Sequence, residues 1–216
     1  MATIGVLVSG GLDSAILVSH LLDQKETVQP FYVQCGLSWQ AAELASLEKY
    51  LAAVASDRLA PLVTLQLPLA DLYTGHWSLT GQQIPNAATP DEAVYLPGRN
   101  LLLAIKPALW CQMHGIGRLA LGVLASNPFD DATAGFFAAL ENVLARLGQP
   151  PLKIVRPFGK MHKREVMQLG RGYPLGLTFS CIAPVDGKHC GRCNKCAERQ
   201  AAFARIGIED PAKYAK

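Results

Sequence analysis

The chain has 216 residues, half of them hydrophobic and 17% charged, which suits one domain or one domain with a small appendage and excludes intrinsic disorder. A formal net charge of +3 permits an anionic ligand without requiring nucleic acid as a partner. No apolar run reaches the ~20 residues that cross a bilayer. Met1 leads straight into the apolar run Ile4–Val8 with no basic region before it, so a cytoplasmic protein is expected.

In chain order, Ile4–Val8 reads as a buried strand and Ala15–Leu22 as a helix. Val28–Val33 is a second strand. Trp39–Ala55 is helical, with Leu44, Leu47, Leu51 and Val54 at helical spacing. Leu62–Leu67 is a third strand. Residues 68–98, punctuated by Pro68, Gly75, Gly81, Pro85, Pro90 and Pro97, form a long loop, and a loop of that length in a compact domain usually covers a site. Asn100–Met113 is helical, with Pro107 expected to kink or split it. Leu119–Val123 is a fourth strand. Thr133–Leu147 is a helix with Asp130 or Asp131 placed to cap it. Leu152–Val155 is a fifth strand, His162–Leu169 a short helix ending at Gly170, and Asn194–Arg205 the last helix. Strands alternating with helices imply an α/β fold, a Rossmann-like parallel sheet with helices on both faces. Ligands of such sheets sit at the carboxyl ends of the strands, so the turns after Val8, Val33 and Val123 are the places for a site.

The first of those turns is Ser9-Gly10-Gly11-Leu12-Asp13-Ser14. A helix start offers unpaired N–H groups and the positive end of the helix dipole. Glycines let the backbone approach an anion with no Cβ in the way. Ser9 and Ser14 add hydroxyl donors. Asp13 would repel a phosphate unless it holds Mg2+ or caps the helix. A plain Gly-Gly turn with a capping side chain is the alternative reading.

Cys181, Cys190, Cys193 and Cys196 are spaced C-x8-C-x2-C-x2-C, the spacing of a four-thiolate Zn2+ site that is closed and therefore structural. An iron–sulfur cluster is the competing reading. His189 could replace a ligand, and Lys188, Arg192, Lys195 and Arg199 are expected to offset the thiolate charge. Cys111 reads as a core residue. Cys35, after the second strand, is a residue that could face the site. Two units are expected: a nucleotide-binding domain over 1–176, and a zinc-binding segment with its C-terminal helix over 177–216.

The hexapeptide resembles the PP-loop, Ser-Gly-Gly-x-Asp-Ser, of ATP pyrophosphatases with the adenine nucleotide alpha hydrolase-like fold. On that resemblance Ser9, Gly10, Gly11, Leu12, Asp13 and Ser14 hold the pyrophosphate end of ATP. Further motifs follow in order: Pro97-Gly98-Arg99-Asn100, His162-Lys163-Arg164-Glu165-Val166 with Leu169-Gly170, Thr178-Phe179-Ser180-Cys181, and Cys190-Gly191-Arg192-Cys193-Asn194-Lys195-Cys196. The same ordered set is found in the 7-cyano-7-deazaguanine synthase family of queuosine biosynthesis, which this chain resembles over nearly its whole length. The resemblance implies a ligase that uses ATP, Mg2+ and Zn2+. It would adenylate a 7-deazaguanine carboxylate and use ammonia to form the amide and then the nitrile, releasing AMP and pyrophosphate. Arg99 and Lys163 are placed as cationic partners of the phosphates, with Asn100 positioning Arg99 or the nucleotide. A homodimer is compatible with this reading.

The chain departs from the family in two places. Ser126-Asn127-Pro128-Phe129-Asp130-Asp131-Ala132-Thr133 replaces a Tyr-Ser-Gly-Tyr-Pro-Asp-Cys-Arg-like segment, and Gln34-Cys35-Gly36-Leu37 replaces Tyr-Gly-Gln. The first alternative is therefore the same adenylation of another small acid or a macromolecular acceptor. The chain has no basic arm or aromatic pattern for RNA. The second alternative is a non-enzymatic zinc-ribbon module.

Overall fold

The computed structural model describes residues 2–215. Five strands, β1 (Thr3–Leu7), β2 (Thr27–Gln34), β3 (Val63–Gln66), β4 (Arg118–Ala120) and β5 (Lys153–Val155), form one sheet in the order β3-β2-β1-β4-β5, every pairing parallel. The helices are α1 (Leu12–Asp23), α2 (Gln40–Ala53), the one-turn α3 (Trp77–Thr80), α4 (Arg99–Met113), α5 (Ala134–Leu144), α6 (Lys163–Leu169) and α7 (Asn194–Ala204).

Two apolar layers cover the sheet. On one face Ile4 and Val6 of β1 pack with Ile16 and Leu17 of α1, Leu47 of α2, Val166 of α6 and Phe203 of α7. On the other, Phe31 and Leu119 pack with Ala104 and Ala108 of α4 and Phe137 and Leu140 of α5. A fully buried Leu, Ile or Phe contributes about 1.5–3 kcal/mol by leaving water. Cys111 belongs to this second layer, as expected: a Cβ on Gly5 would lie 2.7 Å from its Sγ, so the missing side chain of Gly5 lets α4 seat on β1.

Several local expectations are corrected. Pro107 does not split α4, which spans Arg99–Met113 as one helix. Thr133, not Asp130 or Asp131, caps α5, its Oγ accepting from Phe136 N at 3.2 Å. Asp131 serves α4 instead: its carboxylate accepts from Asn100 N at 3.1 Å and Asn100 Nδ2 at 2.9 Å. The short helix does end at Gly170, its C-cap, although with φ −81° rather than in the left-handed form. Gly170 is glycine because a Cβ there would strike Ile16 of α1 at 2.5 Å. Residues 68–98 are bonded into the body: Leu69 N donates to Cys35 O (3.1 Å), Ser38 N to Ser78 O (2.8 Å), and Ala87 N to Arg192 O (3.0 Å). No helix of the described residues is long and apolar enough to cross a membrane.

Candidate active site

β1 sits between β2 and β4, so the chain winds outward from it in both directions, and the crevice at the carboxyl ends of β1 and β4 is where such a sheet takes its ligand. The Ser9–Ser14 turn lies there. Gly10 has φ +74°, and a Cβ on it would press to 3.2 Å from the Glu43 carbonyl oxygen. Gly11 is the N-cap of α1 and has no side chain to satisfy the first turn. Among the described residues no acceptor takes the N–H of Leu12, Asp13 or Ser14. These donors are left for a ligand, as an anion cradle requires. Ser9 N donates to Ser14 Oγ at 3.2 Å and Ser14 Oγ to Gly11 O at 3.2 Å, which braces the turn. Gly122, just beyond β4, permits this packing: a Cβ there would come within 3.2 Å of the Asp13 carbonyl carbon and Ser14 N.

The turn opens into a cleft of about 330 Å³ that Arg99, Asn100, Lys163, Phe179 and Ser180 also line. The 68–98 loop supplies a wall through Trp77, Val94, Tyr95 and Leu96, and Phe129 reaches Tyr95 at 4.7 Å between ring centroids. Of the expected site residues, Ser9, Gly11, Leu12, Asp13, Ser14, Arg99, Asn100 and Lys163 line this cleft, and Gly10 lies behind it in the turn. Asn100 is committed to Asp131 rather than to Arg99. Lys163 Nζ donates to both oxygens of Asp13 (2.8 and 2.7 Å) and stands 3.4 Å from Glu198, which Lys195 also holds at 2.7 Å. Burial opposes the charge on Lys163, but Asp13 and Glu198 outweigh it and hold the ammonium above the ordinary lysine range. Cys35 is not in the cleft lining; it is buried with Val33, Leu69, Tyr73 and Leu96, and burial pushes its thiol up to about 11.

The α2 wall carries a further carboxyl. Glu43 falls in the buried stripe Trp39, Glu43, Leu47, Leu51. Tyr32 Oη donates to its Oε1 at 2.8 Å and Trp39 Nε1 to its Oε2 at 3.2 Å. Burial pushes its pKa up to about 7 against the opposing pull of Arg99 and of the two hydrogen bonds.

The four cysteines converge behind the turn, with all four Sγ atoms within 4.8 Å of one another. The Cys181–Cys193 and Cys190–Cys196 separations are 3.8 and 3.9 Å. A tetrahedron with Zn–S bonds of about 2.3 Å has S···S edges of about 3.8 Å, so this set fits a zinc ion. The N–H groups of Ala183 and Cys190 point at Cys181 Sγ and that of Cys193 at Cys190 Sγ, each at 3.3 Å, which favours thiolates. Hydrogen bonds within the set hold the Cys193 thiol below the ordinary thiol range and those of Cys181 and Cys196 above it. His189 is outside the set: its Nε2 accepts from Ser180 N at 3.1 Å. Burial first, then Arg199, keep it neutral, down to about 4. Arg199 does not offset thiolate charge as expected. It is buried, pairs with Asp210 at 2.9 Å, and donates to Thr178 Oγ at 2.6 Å. Beside Thr178, Phe179 N donates to Gly10 O at 2.7 Å, so the C-terminal segment is hydrogen-bonded to the glycine turn.

The family described as Queuosine biosynthesis protein QueC matches residues 3–207. This chain belongs to the QueC family. Among its relatives, the 7-cyano-7-deazaguanine synthase of Azoarcus sp. is 30% identical, covering 97% of this chain and 95% of its own. That of Methanothrix thermoacetophila is 29% identical over 96% of each chain. The solved structure of a predicted subunit of tRNA methyltransferase from Methanocaldococcus jannaschii superposes with a TM-score of 0.51 at 14% identity, covering 79% of this chain and 75% of that one, a likeness of fold alone. For this QueC-family chain, sequence reasoning missed Glu43, Glu198, Gly122 and the Arg199–Asp210 pair. Only Glu43 left a signal: an acid at the i+4 position of a Trp39-x3-Glu43-x3-Leu47-x3-Leu51 stripe is an acid facing inward.

Proposed function

We propose that this chain is an ATP-dependent carbon–nitrogen ligase of the cytoplasm that converts a 7-deazaguanine carboxylate, with ammonia, to 7-cyano-7-deazaguanine. The observation that carries the reading is the open row of N–H groups at Leu12, Asp13 and Ser14, facing a cleft at the β1/β4 crevice of a QueC-family chain. On this reading the Ser9–Ser14 turn takes the β- and γ-phosphates. A carboxylate oxygen of the acid attacks the α-phosphorus, and pyrophosphate leaves with the bonding pair. Arg99 spreads the negative charge that develops. Ammonia then attacks the acyl carbon, AMP departs, and an amide remains. A second ATP adenylates the amide oxygen, and loss of AMP and the remaining N–H protons leaves the nitrile.

Asp13 is the carboxylate that would hold Mg2+, which supplies charge neutralisation of the pyrophosphate. Lys163 pairs with that carboxylate and stands beside Glu198, which would set its ammonium next to the phosphates. The cysteine set would hold zinc in a structural role, tying the start of α7 to the Thr178–Cys181 segment behind the turn. A zinc content near one per chain that chelation lowers together with stability is expected; a coloured, iron-containing protein would contradict it.

Purified chain with ATP, Mg2+, ammonium and 7-carboxy-7-deazaguanine should release AMP and form the nitrile, followed by chromatography of both products. Release of ADP sinks the reading. A second reading, the same adenylation of a different acid, is favoured by the substituted segment 126–133, whose Asn127, Phe129 and Asp131 line the cleft. AMP release with other planar acids and not with the deazaguanine acid would select it.

A further inference from the structure

Glu43 is the cleft carboxyl that these roles leave unused. It is 9% exposed and lines the cleft together with Tyr32, Trp39 and Arg99. Its two oxygens each accept one hydrogen bond, from Tyr32 and Trp39, and a carboxylate oxygen can accept two. No ion pair reaches it among the described residues. Arg99 lies close enough to favour its charge yet outside ion-pair distance. The other titratable groups felt at this point are Tyr32 and Cys35, both buried and neutral. A buried carboxylate without a cation is unfavourable, and a small cation donating N–H groups to the spare lone pairs would relieve it. The stacked indoles of Trp39 and Trp77, 5.7 Å apart between ring centroids, line the same cleft. An anion on Arg99 and a cation on Glu43 would thus lie side by side.

We propose that Glu43, its oxygens aimed by Tyr32 and Trp39, is the ammonium subsite and general base of the amide-forming step. This rests on the ligase reading. Ammonium docks on Glu43 and passes one proton to a carboxylate oxygen. The freed nitrogen lone pair forms the C–N bond to the adenylated carboxyl. The acyl C–O bond breaks, AMP leaves with the electron pair, and its phosphate takes the surplus proton of the new amide. Glu43 then returns its proton to water.

The test uses the full chain and two nucleophiles, ammonium and hydroxylamine. Hydroxylamine is far less basic than ammonia, is uncharged near neutrality, and needs no proton removed before attack. Glu43→Gln keeps both hydrogen-bond contacts, its Oε1 accepting from Trp39 and its Nε2 donating to Tyr32. Its kcat/KM for ammonium relative to that for hydroxylamine should fall by at least ~100-fold, the scale of a lost general base. An equal loss with both nucleophiles would mean a structural role and overturn the proposal. Acid-dependent ATP–pyrophosphate exchange by the wild type, measured alongside, reports the ligase reading separately; its absence removes that reading and this one together. Should Glu43→Gln not fold, the wild type still decides. Its kcat/KM for total ammonium should level off above about pH 7, where Glu43 is ionised. A continued rise toward the pKa of ammonium would show that free ammonia is taken from solution without Glu43.

Discussion

The two walls of the cleft treat carboxylates in opposite ways. Beside the glycine turn Asp13 and Glu198 share Lys163 and Lys195 adds to Glu198, and beneath that wall Arg199 holds Asp210. On the α2 wall Glu43 has only neutral donors in contact. The first arrangement keeps Glu198 and Asp210 ionised below the ordinary carboxylate range despite burial; the second lets burial win and lifts Glu43 to about 7. A pre-paired wall is rigid and already charged, fit to orient phosphates. An unpaired acid is available to titrate and to take a cation that arrives from outside.

The contrast can be broken most forcefully at Arg199. Arg199→Met strands Asp210 without its cation, and removing one partner of a buried pair costs about 3–5 kcal/mol. A urea midpoint lowered accordingly is expected, and Arg199→Met with Asp210→Asn should recover much of it. Asp13→Asn comes next: AMP release should fall by roughly 10²–10³-fold with the far-UV dichroism unchanged, and near-normal turnover would remove Asp13 from the phosphate site.

Glu43→Gln sharpens the other side of the contrast through stability. A carboxyl whose folded pKa is raised from 4.5 to about 7 contributes stability below pH 4.5 that is lost as pH rises toward 7. The wild type should lose up to about 3 kcal/mol across that window, at 1.36 kcal/mol per unit, and the variant should lose much less. Denaturant midpoints at three pH values measure it. Asp131 is the intermediate case, an acid held by the N–H groups at the start of α4. Asp131→Ala should cost about 1 kcal/mol, as for a lost cap. Asp130→Ala, by contrast, should stay within about 0.5 kcal/mol.

The amino-acid order alone settled what depends on near neighbours. The alternation of Ile4–Val8 with a Gly-Gly turn and a helix, and the C-x8-C-x2-C-x2-C spacing, state their geometry within a few residues, because turns, helix starts and metal loops are local. Five parallel strands and the closure of the four cysteines followed from that. The charge relationships were not legible. Lys163 and Asp13 lie 150 residues apart, and nothing local announces their pairing. Arg199 looked like a counter-charge to thiolates until the tail brought Asp210 to it. Asp131 looked like a cap for the helix that follows it and caps another that precedes it. The reason is physical: backbone conformation is governed by adjacent residues, whereas desolvation and Coulomb energy depend on what the folded chain places within a few ångströms, and only the tertiary structure decides which acid in a cleft meets a cation and which is left to find one.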